Sequence, residues 1–160
     1  MVPRRTRATV WFWIAAAFGI AHAIPSFYWA FGGTLLLETV GQWAVSASRD
    51  QPELVTFGLL VVGGVKLAAA LIPLLADQQL LPLEGLWRGI SWVGGPILVL
   101  YAALNMIGAV ISLAGWVDVA GADHTALWSR LLLWEPLFFA WGAALTWALI
   151  CSSRSREPLK

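Results

Sequence analysis

The sequence predicts an all-α, polytopic membrane protein: a four-transmembrane-helix, up-down bundle with a short amphipathic helix in the first outer loop. Three observations carry that expectation. The chain has 160 residues, 59% hydrophobic and only 12% charged, whereas a soluble domain has about 25% charged residues. The charges leave four long gaps. None lies between Arg7 and Glu38 or between Arg88 and Asp118; only Lys66 interrupts Glu53 to Asp77, and only Glu135 interrupts Arg130 to Arg154. Finally, the basic residues divide unevenly between the two sides that four spans would create.

A span needs roughly 20 mostly apolar residues, which places the four at residues 8–30, 54–76, 90–113 and 131–151 of a single domain, 1–160. The first follows Arg4, Arg5 and Arg7 and passes an Ala21-His22-Ala23 triplet, the layout of a cleavable signal peptide. Its apolar run continues through Ile24, Phe27, Tyr28, Trp29 and Phe31, so the segment is expected to be retained. In the first connection, Leu36, Val40, Trp43 and Ala47 recur at helical spacing, as in a helix lying on a membrane surface. Asp50, Pro52 and Glu53 read as the start of the second span, with Asp50 as cap. Asp123 reads as the cap of the last helix. Small residues at Ala15, Gly19 and Ala23, and at Ala140, Ala144 and Ala148, form ladders suited to close helix packing.

Lys and Arg are kept on the cytoplasmic side of a membrane. Arg4, Arg5, Arg7, Arg88, Arg154, Arg156 and Lys160 would share one side, against Arg49 and Arg130 on the other. The expectation is a multi-pass protein of a bacterial-type plasma (inner) membrane, with both termini cytoplasmic. Glu38, Asp50, Glu53, Asp118, Asp123 and Glu135 then lie on or near the outer face.

One strongly polar residue sits in each span: His22, Lys66, Asn105 and Glu135. Ionisable groups within spans are expensive and mark function by default. At about 1.5 Å per residue, His22 and Asn105 come level, Lys66 lies deeper and Glu135 shallower. A Lys66–Glu135 pair is within reach of two extended side chains, and Tyr101 is level with Lys66. Pro25 and Pro136 would free backbone carbonyls beside His22 and Glu135. If the four polar stripes turn inward together, they line an outer-half cavity formed by His22, Tyr28, Trp29, Lys66, Tyr101, Asn105 and Glu135.

No nucleophile elbow, P-loop, zinc-protease motif or dinucleotide fingerprint is present in the sequence, and no cofactor is expected. The single Cys151 excludes an internal disulfide. His124 with Asp118 and Asp123 is a weak cation arrangement, and no metal is expected. A net charge of +1 gives no reason to expect nucleic acid.

His22-Ala23-Ile24-Pro25-Ser26-Phe27-Tyr28-Trp29-Ala30-Phe31-Gly32-Gly33 resembles a family of small bacterial four-helix membrane proteins of unknown function. In that family the first span ends in a His followed by Tyr-Trp-Ala-x-Gly-Gly. The resemblance covers about one fifth of the chain. It supports the fold and flags His22, Tyr28, Trp29, Gly32 and Gly33, but implies no mechanism. The tryptophan-rich sensory proteins differ, with five spans and Trp-Pro patterns that this chain lacks.

Three function classes stay open. The leading one is binding or passage of a small ligand, with the acidic outer rim favouring cations. The second is a structural or accessory membrane subunit whose polar residues fix helix packing. The third is a membrane-embedded enzyme using His22 as a base. The lipid bilayer is the expected partner, and a homo- or hetero-oligomer fits the second class.

Overall fold

The computed structural model describes residues 4–117 and 123–154, with side chains described from 8 to 117 and from 123 to 153. Asp118, Arg156 and Lys160, and the side chains of Arg4, Arg5, Arg7 and Arg154, lie outside the described residues. Most of the described residues are helical, and none of them is in a strand. In order they form α1 (Arg4–Ala30), a 3-10 turn (Leu37–Thr39), α2 (Gln42–Asp50), α3 (Pro52–Asp77) and α4 (Glu84–Leu113). A short α5 (His124–Ser129) then passes through a π turn (Arg130–Trp134) into α6 (Glu135–Arg154).

Four stretches are long and apolar enough to cross a membrane: Ala8–Ala30, Pro52–Asp77, Glu84–Leu113 and His124–Ser153. The first two agree closely with expectation, and the others begin earlier than expected. α4 begins right after Leu83, whose carbonyl accepts from the amides of Leu86 and Trp87. Arg88 is therefore inside the helix, its Nη2 donating to Ser152 Oγ of α6 at 2.8 Å. The last helix begins at His124 because Asp123 caps it, accepting from the Ala126 amide at 3.1 Å.

Helix α1 packs on α3 and on α6, α6 packs on α4, and α3 and α4 touch only slightly. The spatial order is therefore α3, α1, α6, α4. Close approach depends on the small residues of both ladders. Ala15, Ala23, Ala144 and Ala148 are buried, and a Cβ placed on Gly19 would lie 2.5 Å from Ala70 Cβ and 2.7 Å from Trp141 Cε2. The apolar core forms there, from Phe12, Ala15 and Ala16 of α1, Ala70 and Leu74 of α3, and Trp141, Leu145 and Leu149 of α6.

The first connection departs from the expected single helix. Gly41, at φ +130, breaks the periodicity between the 3-10 turn and α2, so Leu37 and Ala44 are buried while Trp43 is 66% exposed. Asp50 does not cap α3. It is the last residue of α2; Gln51 takes the cap position without a side-chain bond, and Pro52 follows in the first turn. Three contacts clasp this connection onto the bundle. Trp134 Nε1 donates to Thr39 Oγ1 at 3.1 Å, Trp29 Nε1 to the Leu35 carbonyl at 2.8 Å, and the Gln42 amide to Asp123 Oδ2 at 2.9 Å. At the opposite end, Thr9 Oγ1 donates to Asp77 Oδ2 at 3.1 Å, joining the start of α1 to the end of α3.

Candidate functional site

Two prolines lie beside polar residues, and the backbone treats them differently. α1 runs through Pro25 as an α-helix. Pro136, which lacks an N–H and crowds the carbonyl four residues earlier, follows a stretch that has widened into a π turn, with the Glu135 amide bonding Arg130 O. A π turn changes the angular step along the helix. Here the neighbours Trp134 and Glu135 both reach inward: Trp134 meets His22, and Glu135 is only 5% exposed.

His22 is likewise 5% exposed. Its ring lies 3.8 Å from the Phe138 centroid, tilted by 37°, and 5.6 Å from Trp134. Neither imidazole nitrogen has a hydrogen-bond partner, and Glu135 Oε2 and Trp141 Nε1 are also buried without one. Lys66 enters from α3. Its Nζ donates to Ser26 Oγ at 3.2 Å and stands 5.9 Å from the Phe138 centroid. Ser26 is one turn beyond His22 on α1, the spacing that puts both on one face. Tyr101 touches the far edge of the same ring at 5.6 Å. Phe138 is thus the hub on which residues from all four long helices meet.

Of the seven residues expected to share a cavity, His22, Lys66 and Tyr101 meet at Phe138. Trp29 joins through Trp134, at 5.7 Å edge-to-face. Glu135 lies in the same stretch of α6 but makes no ion pair with Lys66; its charged neighbour is Arg130. Asn105 does not converge with His22. It donates to the Tyr101 carbonyl of its own helix at 2.8 Å and lines a separate cavity of about 300 Å³ with Ser112 and Arg130. Because α4 packs on α6 and not on α1, level depth does not bring Asn105 to His22. Tyr28 also turns elsewhere, its ring lying over Gly33.

The Tyr-Trp-Ala-x-Gly-Gly stretch ends α1. The Gly33 amide bonds the Tyr28 carbonyl at 2.9 Å and the Gly32 amide bonds the Trp29 carbonyl at 3.0 Å, with Gly32 left-handed at φ +87. This is a Schellman cap, which satisfies the last carbonyls of the helix. A Cβ on Gly33 would meet the Tyr28 ring, which lies across it.

The same cap forms one wall of a cavity of about 480 Å³ beneath the first connection. Trp29, Gly32, Gly33 and Thr34 line it with Glu38 from the 3-10 turn, Ser48 and Arg49 from α2, and Thr56 from α3. Glu38 and Arg49 make no ion pair with each other. In the sequence both read only as outer-side charges; opposite charges eleven positions apart on one connection are the signal that could mark them as a site. A third cavity, about 250 Å³ and apolar, opens between α3 and α4 over Trp141. None of these three cavities is lined by His22, Lys66 or Glu135. Among the described residues no three His, Cys, Asp or Glu side chains gather as metal ligands.

A family model described as "Protein of unknown function (DUF3995)" matches residues 19–145. The chain belongs to that family. The matched segment runs from Gly19, at the α1–α3–α6 crossing, to Leu145, and contains the helix cap, the 480 Å³ cavity and every residue around Phe138. The DUF3995 match supports the likeness expected from His22 to Gly33 and extends it across all four long helices. No curated protein and no solved structure matches the chain.

Proposed function

We propose that this DUF3995 protein binds a small polar ligand in the 480 Å³ cavity beneath its first connection. The observation that carries the reading is that Glu38 and Arg49 line one cavity without pairing with each other. A ligand carrying both an ammonium and an acid group would complement both, and the aromatic Trp29 and the glycine backbone would contact its body. The cation preference suggested by the acidic rim thereby narrows to a zwitterion. Ligand sites commonly combine a largely apolar wall with a few placed polar groups. The seven-to-two basic bias supports an orientation in which this cavity opens outward and both termini are cytoplasmic.

The test is thermal unfolding of the purified protein in detergent with alanine, alaninamide and propionate as probes. A bound ligand stabilises by about 2.7 kcal/mol at a hundred times its dissociation constant. Alanine should raise the unfolding temperature more than either single-charge analogue. Glu38→Gln should remove the advantage over propionate, and Arg49→Gln the advantage over alaninamide. Equal responses to all three probes, or an alanine response that survives both substitutions, would refute the reading.

A further inference from the structure

Below the outer cavity lies a cluster that ligand capture does not use. His22 is buried with both ring nitrogens unpartnered, in a stretch apolar enough for a membrane interior. Unsatisfied polar groups are costly there, because no bulk water is present to hydrogen-bond them. Amine and imidazole share one aromatic partner: Lys66 Nζ stands over the Phe138 ring that stacks on His22. They also share one helix face through Ser26. Phe138 and Trp134 cover the imidazole, and none of the three cavities reaches it.

We propose that His22 and Lys66 form one coupled proton-binding site, which takes up a single proton on either the imidazole or the amine. Two basic groups on one aromatic ring in an apolar seam repel each other when both are charged. One proton suits the pair better than two. Binding adds a proton to a free lone pair, forming an N–H bond on His22 or Lys66, and release returns it to solvent. The other titratable and charged groups facing this seam are Glu135, from α6, with Arg130 beside it, and the Tyr101 phenol, from α4. In α1 itself His22 is the sole ionisable side chain between Arg7 and Tyr28. Ser26 Oγ accepts from the amine, which fixes Lys66 on the His22 face whether or not the outer cavity is filled. The proposal therefore stands independently of the ligand reading.

The composition makes the test simple, since the chain has two histidines, at 22 and 124, and two lysines, at 66 and 160. Protein labelled with nitrogen-15 histidine and lysine, reconstituted in nanodiscs, is titrated by NMR. A His124→Gln variant assigns the remaining imidazole to His22. His22 should change protonation state within the pH range in which the protein stays folded. Lys66→Met should move its midpoint by about one pH unit or more, a tenfold change in proton affinity. His22→Phe, which keeps an aromatic ring against Phe138 and Trp134, should move the Lys66 midpoint by a comparable amount, because coupling is reciprocal. A His22 ring that never changes state would overturn the proposal. So would a midpoint that ignores Lys66→Met in protein shown to be folded by circular dichroism. If only one variant folds, its partner's midpoint decides the outcome alone.

Discussion

Substituting Gly19 by alanine should destabilise the bundle, although alanine is the better helix former. An added Cβ would lie 2.5 Å from Ala70 Cβ, 2.7 Å from Trp141 Cε2 and 2.9 Å from Trp141 Cζ2. Comfortable separations between carbon atoms are about 3.5–4.0 Å, so roughly 1 Å of overlap must be relieved on two sides at once. Neither neighbour yields easily. The Ala70 methyl is fixed to the α3 backbone, and the Trp141 ring is 2% exposed and stacked on Phe138. Overpacking of this kind costs about 1–3 kcal/mol, and the gain in helix propensity returns up to about 1 kcal/mol. With the full propensity gain counted, the expected net loss is up to about 2 kcal/mol. Gly64→Ala is the control, since a Cβ there meets nothing within 4 Å and should stabilise by about 0.5–1 kcal/mol. Unfolding of both variants and the parent in mixed micelles reads the difference. If Gly19→Ala equals or exceeds Gly64→Ala in stability, α1, α3 and α6 do not meet at Gly19, and the spatial order of the helices is wrong.

Two further outcomes follow from the ends of the bundle. The Ala126 amide and then the Gln42 amide, both donating to Asp123, hold its carboxyl below the usual carboxylate range. Its stabilising effect is present above the unfolded-state value and is lost as pH falls through the folded one. Protection of the Gln42 amide against hydrogen exchange should therefore weaken on acidification in the parent, and show no such step in Asp123→Asn. In a Cys151→Ser background, an impermeant thiol reagent applied outside cells should label a cysteine at Ser46 and spare one at Gly85. The opposite pattern would invert the proposed orientation and turn the 480 Å³ cavity toward the cytoplasm.

The charge gaps made the four spans legible, because a membrane helix is written in what it omits. Their ends were less so. Asp123 reads as a cap, yet the charge gap opens only after Arg130 and so places the start of the fourth span at residue 131, although the helix begins at His124. The amphipathic reading of the first connection missed Gly41, whose left-handed φ divides what periodicity joins. Depth along each helix was readable from the 1.5 Å rise, but the neighbour of each helix was not. Asn105 and His22 come out level and still do not meet, because helix order depends on which small residues interlock. Gly19 against Ala70 and Trp141 sets that order, and no spacing within α1 reveals its partners on α3 and α6. Phe138 carries no signal in the sequence for the same reason. It is one apolar residue among many until His22, Lys66 and Tyr101 arrive from three other helices.

The Tyr28–Gly33 stretch shows why a shared motif is a poor guide to a site in this fold. Its amide bonds and the left-handed Gly32 give it a sufficient structural reason as a helix cap. Placing an L-residue in that left-handed conformation would cost about 1–2 kcal/mol, whatever the protein binds. Yet Trp29, Gly32 and Gly33 also wall the cavity that holds Glu38 and Arg49. A substitution in the motif would then damage cap and cavity together, and a lost activity would not distinguish the two. Glu38 and Arg49 separate them. Both are exposed and neither takes part in the cap, so Glu38→Gln and Arg49→Gln should leave the fold in place and change only what the cavity holds. The ligand reading is therefore to be judged across the cavity from the motif, at those two residues.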